Sequence, residues 1–141
     1  MKPREAEGKR KAVTRRLGQL VILLQGTASP TDAEWTECLH LVGKVGDINT
    51  TRVLVVTAGG GPTLAQRRAL EKVLHGTRVS SAVVSDSVKV RFIVASVALF
   101  STRISTFQLR ELHRAYEFLG LTHTEVVDAE RTLAEMRAML E

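Results

Sequence analysis

One stretch in the middle of the chain, Arg52-Val-Leu-Val-Val-Thr-Ala-Gly-Gly-Gly-Pro-Thr-Leu-Ala-Gln-Arg-Arg68, limits the folds open to it. A β-branched run, Arg52 to Thr57, reads as a buried strand. Three glycines then allow a tight turn. Pro62 and Thr63 open a helix, with Gln66 placed three residues after Thr63 as in a capping box. Strand, turn and helix start in so short a span point to an α/β protein.

The same grammar recurs along the chain. Gln19–Gln25 reads as a buried strand ending at Gly26. Ser29 then caps a helix with Pro30 at its first position and Asp32 in its first turn. Trp35, Cys38, Leu39 and Val42 share the inner face of that helix, which stops near Gly43–Gly46. After Arg52–Thr57 a helix runs from about Thr63 to Leu74, with Ala69, Leu70 and Val73 inside and Gly76 as the stop. A third strand, Val79–Ser85, leads into a helix from about Ser85 to Phe100. A short fourth strand spans Ile104–Phe107. The next helix carries Leu109, Leu112, Ala115, Tyr116 and Leu119 and closes at Gly120. Thr122 and Glu125 form another capping box before a last helix lined by Val126, Ala129, Leu133, Met136 and Leu140.

Four strands alternate with helices, and their apolar residues run on instead of alternating. Both features predict a single α/β domain: a mostly parallel sheet of about four strands with helices on both faces and an extra carboxyl-terminal helix. At 141 residues such a domain can bury a core without metals or disulfides. Cys38 is the single cysteine, so no internal disulfide forms, and a reducing, cytoplasmic setting is expected. The longest apolar run, Phe92–Phe100, is far short of the ~20 residues a membrane span needs, so no transmembrane segment is expected.

The net charge of +5 sits in residues 1–16, where seven basic residues meet two acidic ones. Residues 17–141 carry thirteen of each sign. The division expected is a basic, partly frayed arm over 1–16 and the α/β domain over 17–141. Contact of the arm with nucleic acid or an acidic membrane is the minor reading, because the arm has no aromatic residue and the body offers no matching basic face.

Ligands of open parallel sheets sit beyond the carboxyl ends of the strands. Two turns fall there. Gly59, Gly60, Gly61 and Thr63 offer backbone N–H groups and a helix amino terminus, which suit an anion or a phosphate. Ser85, Asp86 and Ser87 offer hydroxyls beside a carboxylate. The bland account of both is a glycine-dependent turn and ordinary helix capping. No lysine follows the glycines, which excludes a Walker-type nucleotide site, and no dinucleotide fingerprint is present. His40, His75, His113 and His123 lack partners at metal-ligand spacing. No nucleophile–base pair can be assembled, so no catalytic residue, metal or cofactor is expected. Phe92–Phe100 is apolar almost all round, with Ala95, Ser96 and Ala98 small enough for close approach. It is a candidate homodimer face, or is buried under the last helix.

The segments Gln19–Gly26, Arg52–Arg68, Val79–Phe100 and Phe107–Leu121 together resemble STAS-type domains, in particular the SpoIIAA-like branch of small bacterial proteins. Glu111-Leu-His-Arg-Ala-Tyr-Glu-Phe-Leu-Gly120 is similar to the helix that ends such domains. The resemblance covers about residues 17–121. It implies a non-enzymatic regulatory module that binds a protein partner at the carboxyl edge of the sheet, with small-ligand binding at the same glycine-rich edge as the alternative. Some such domains switch by phosphorylation. Gly61-Pro62-Thr63 stand where the phosphorylated members carry an Asp-Ser pair, which leaves Thr63 as the hydroxyl of that turn. Thr63 and Ser87 are the candidate phosphoacceptors.

Overall fold

The computed structural model describes residues 9–44, 50–75, 77, 79–99 and 103–141. The chain runs β1 (Ala12–Leu17), β2 (Leu20–Gln25), α1 (Asp32–Lys44), β3 (Arg52–Thr57), α2 (Leu64–Leu74), β4 (Ser80–Val84), α3 (Val88–Val97) and β5 (Ile104–Phe107). A 3-10 turn (Leu109–Glu111), α4 (Leu112–Phe118) and α5 (His123–Arg137) follow. The five strands lie in sequence order, β1-β2-β3-β4-β5. β1 is antiparallel to β2, and every other neighbour pair is parallel.

The sheet thus has one strand more than the four expected. The added strand, β1, begins inside the segment read as a basic arm. Leu17 pairs with Leu20 across a two-residue turn in which Gly18 takes φ 60°, a conformation suited to glycine. Ala12, Val13 and Thr14 are buried while Arg15 and Arg16 stay exposed. Charged side chains on an edge strand discourage pairing with other chains, and they also disguise the strand in the sequence. Glu34 secures it, accepting from the Lys11 N–H at 3.0 Å.

Right-handed crossovers between strands in sequence order set all the connecting helices on one face. There, α1 and α2 bury Trp35, Cys38, Val42 and Leu74 against Val21, Leu23 and Val53. α3 buries Val90 and Val94 against Val83. The other face is covered by α4 and α5, whose Ala115, Tyr116, Leu119, Ala129, Leu133 and Met136 pack on Ile22, Leu54, Ala82 and Val84. This is the two-sided cover that continuous apolar strands demand.

Two local expectations change. The cap of α1 is Thr31, not Ser29: the Glu34 N–H donates to Thr31 Oγ1 at 3.1 Å and the Thr31 N–H to Glu34 Oε1 at 2.8 Å. α5 packs against β1 and β2 on the opposite side of the sheet from α3, so it does not bury α3. The outer side of α3 is therefore bare, with Val88 and Phe92 61% and 73% exposed, and Leu99 just past its end is 88% exposed. The expected stop signals Gly46 and Gly76, and Phe100, lie outside the described residues. Among those described, no helix is long and apolar enough to cross a membrane.

Arg52 ties the lower end of β3 to the α4–α5 junction. Its Nη2 donates to Glu125 Oε2 at 2.7 Å, and Nη1 reaches Leu119 O at 3.4 Å. The Arg52 bond is the main reason that the Glu125 carboxyl titrates below its ordinary value. A carboxylate whose folded pKa is depressed stabilises the fold above its unfolded pKa, and that contribution disappears as pH falls through the folded one. Arg52→Met should therefore cost about 1 kcal/mol at neutral pH, the pair being part exposed. Urea titrations between about pH 6 and about pH 3 should show a shallower acid loss in the variant than in the wild type. Parallel pH profiles would contradict this.

Candidate functional site

The carboxyl ends of β2 to β5 share one edge, and the two turns singled out in the sequence lie along it. The turn after β3 is built against the loop after β2. The Gly60 N–H donates to Gly26 O at 2.9 Å, and the Ala58 N–H to Gln25 O at 3.1 Å. Thr57 Oγ1 donates to Gly60 O at 2.6 Å and accepts from the Gly59 N–H at 3.1 Å. Gly59 takes φ 134°, and a Cβ on Gly60 would stand 2.1 Å from Ala28 O. Two of the three glycines are thus required by backbone shape and close approach.

α2 begins with the expected capping box. The Thr63 N–H donates to Gln66 Oε1 at 2.9 Å, and the Gln66 N–H to Thr63 Oγ1 at 3.2 Å. The N–H groups of Gly59, Gly60, Thr63 and Gln66 are consequently engaged within the turn or with the neighbouring loop. An anion at this edge would have to compete with bonds already made. Thr63 itself is exposed.

The second turn is bound in the same manner. Ser85 is buried, its N–H donating to Phe107 O at 2.8 Å. Its hydroxyl accepts from the Ser87 N–H at 3.2 Å, and Ser87 Oγ caps α3 by accepting from the Val90 N–H at 3.4 Å. Asp86 Oδ1 accepts from the Leu109 N–H at 3.0 Å, so its carboxylate fastens the β5–α4 connection to the turn. Among the described residues no hydrogen bond joins the two turns. Gly61 of the first turn approaches α3: an added Cβ there would meet Ile93 Cδ1 at 2.7 Å.

Reactive groups are scarce around this edge. Among the described residues no cluster of three or more His, Cys, Asp or Glu side chains could hold a metal ion. The Cys38 thiol is pushed up to about 12 by burial, which leaves it protonated and a poor nucleophile at neutral pH.

Two glutamines were invisible as functional candidates in the sequence. Gln66 is a fully bonded node: Nε2 donates to Pro30 O at 3.0 Å and Asp32 Oδ1 at 2.9 Å, and its backbone oxygen accepts from Trp35 Nε1 at 2.8 Å. Gln25 is different. It is 3% exposed, and its Nε2 is buried with no hydrogen-bond partner. It lines a cavity between the sheet and α1, α2 and α3. A polar residue closing an otherwise apolar strand, as in Leu20-Val-Ile-Leu-Leu-Gln25, was the available signal.

With the geometry in place, comparison with known proteins adds no name: no family model, no curated protein and no solved structure matches this chain.

The turn itself makes a test of its structural role. Gly60→Ala drives a methyl into backbone oxygens that have no room to withdraw, so about 3 kcal/mol or more of stability should be lost. Gly61→Ala meets only the end of a flexible side chain and should cost about 1 kcal/mol or less. Chemical denaturation of both variants reads the difference, and equal losses would contradict the close approach at Gly60.

Proposed function

We propose that this protein is a non-enzymatic interaction module of the STAS, SpoIIAA-like kind, working through a protein contact made at the carboxyl edge of the sheet and along α3. The observation that carries the reading is the bare side of α3. Val88, Phe92 and Ala95 recur at spacings of four and three, which aligns them in one stripe; Leu99 follows just past the helix end, and all four are exposed. α3 starts from the Ser85–Ser87 turn at the carboxyl edge, so stripe and edge form one continuous surface.

The partner proposed for the stripe is a second copy of this chain. In an antiparallel two-fold pairing, Phe92 of each copy falls opposite Ala95 of the other, large against small. The only charges on α3, Lys89 and Arg91, lie near its amino end. Antiparallel pairing carries them towards the carboxyl end of the other helix, where the dipole favours positive charge. A parallel arrangement would set like charges side by side. A phosphate on exposed Thr63, or on Ser87 at the head of α3, would add negative charge where a helix amino terminus tolerates it and would change what this edge binds.

Light scattering after size-exclusion chromatography tests the contact. The wild type should run as a dimer at concentrations where Phe92→Asp runs as a monomer. The variant should stay folded, since the ring is mostly in solvent within one copy, and should lose only the stability that association adds. A wild type that is monomeric at every concentration, or a Phe92→Asp protein that still dimerises, would refute self-association through α3.

A further inference from the structure

The sheet face beneath α1, α2 and α3 is not completely filled. A cavity of about 90 Å³ remains between the strands and the helices. Its walls are the aliphatic side chains of Leu23, Val55, Val83 and Ile93 and their neighbours, and no charged side chain lines it. Water is a poor occupant, because it needs two to four polar partners and the walls are mostly aliphatic. An engineered apolar cavity of ~150 Å³ in another protein holds benzene. This one suits a smaller molecule, of roughly four non-hydrogen atoms by that comparison.

Its polar groups are not equivalent. Trp35 Nε1 and the Thr57 hydroxyl also border it, yet both donate elsewhere, to Gln66 O and Gly60 O. Ser81 and Cys38 border the cavity as well, and among its lining side-chain N–H groups Gln25 Nε2 is the one that is buried without an acceptor. Gln25 follows Val21 and Leu23 at every second position of β2, which sets it on the face that α1 to α3 cover. Gln66, the other buried glutamine, has its amide fully used. A buried N–H left without an acceptor is costly, and native proteins rarely keep one without a reason.

We propose that this cavity is a binding site for a small, uncharged, mainly apolar molecule bearing one hydrogen-bond acceptor, a carbonyl oxygen received by Gln25 Nε2. The aliphatic walls select an alkyl body, and their lack of charge rejects ions. The unpartnered Gln25 amide fixes the carbonyl at the carboxyl end of β2. This site lies behind α3 and is separate from its exposed stripe, so it stands whether or not the chain dimerises.

The experiment uses two probes of nearly the same shape, propan-2-one and 2-methylpropene, in which a methylene replaces the carbonyl oxygen. Each is titrated into the full chain while methyl and side-chain amide resonances are followed by NMR. Both should saturate with shifts at Leu23, Val55, Val83 and Ile93, and only the ketone should move the Gln25 side-chain amide protons. Gln25→Leu should weaken the ketone about tenfold, the loss of one buried hydrogen bond, and change alkene affinity by less than about twofold. Absence of saturable shifts from either probe in the wild type would overturn the proposal. So would ketone affinity that is unchanged in Gln25→Leu, or equal weakening of both probes. If Gln25→Leu does not fold, the wild-type amide protons decide: their response to the ketone alone supports the assignment, and no response, or equal response to both probes, rejects it.

Discussion

The arrangement of the whole α1–α3 layer depends on one crossing of backbones. Gly60 passes so near Gly26 and Ala28 that no side chain fits between them, and the N–H of Gly60 closes the crossing by a bond to Gly26 O. This crossing fixes the start of α2 against the start of α1. Gln66 then fastens the two helix starts at Pro30 and Asp32 and receives the Trp35 indole. Residues that suggested a ligand cradle are thus the joint of the scaffold. The chemistry of interest lies immediately inside that joint, where Gly60, Gly61 and Pro62 form part of the cavity wall.

Much of this fold could be read from sequence because it is local. β3 and β5 fall on the residues where apolar runs and flanking turn residues put them. The capping boxes at Thr63 and Thr122 form as their spacing requires. What was hidden depends on distant partners. β1 looks like a charged arm until β2 supplies its ladder. Thr31 outcompetes Ser29 because Glu34 returns the bond. α3 reads as a helix covered on two sides, by the sheet and by a second copy or the last helix, because an apolar residue facing solvent and one facing a sheet are the same letters.

The candidate site was legible only in part. Its turns were found, but their role was not, because whether an N–H is free or engaged is decided by a loop some thirty residues away, as with Gly60 and Gly26. The two glutamines make the same point more sharply. Gln25 and Gln66 are equally buried and carry the same amide. One is saturated by three neighbouring segments and the other faces a cavity, and nothing in the flanking residues distinguishes them. The two faces of the sheet also divide by chemistry. The buried polar residues Gln25, Thr57 and Ser81 line the cavity on the α1–α3 side, whereas the buried strand residues in the α4–α5 core, such as Ile22, Leu54 and Val84, are aliphatic.

The strand order has a consequence for how the chain is assembled on a ribosome. From β2 onward each new strand pairs with the one made just before it, so the parallel ladder can grow as the chain emerges. The opposite face follows another schedule. Leu20, Ile22 and Leu24 belong to a core completed by Ala129, Leu133 and Met136 of α5, which are made about a hundred residues later. At synthesis rates of roughly 5–20 residues per second, that apolar surface stands uncovered for some seconds. The growing chain is most vulnerable to misassociation in this interval, and α5 is the element that ends it.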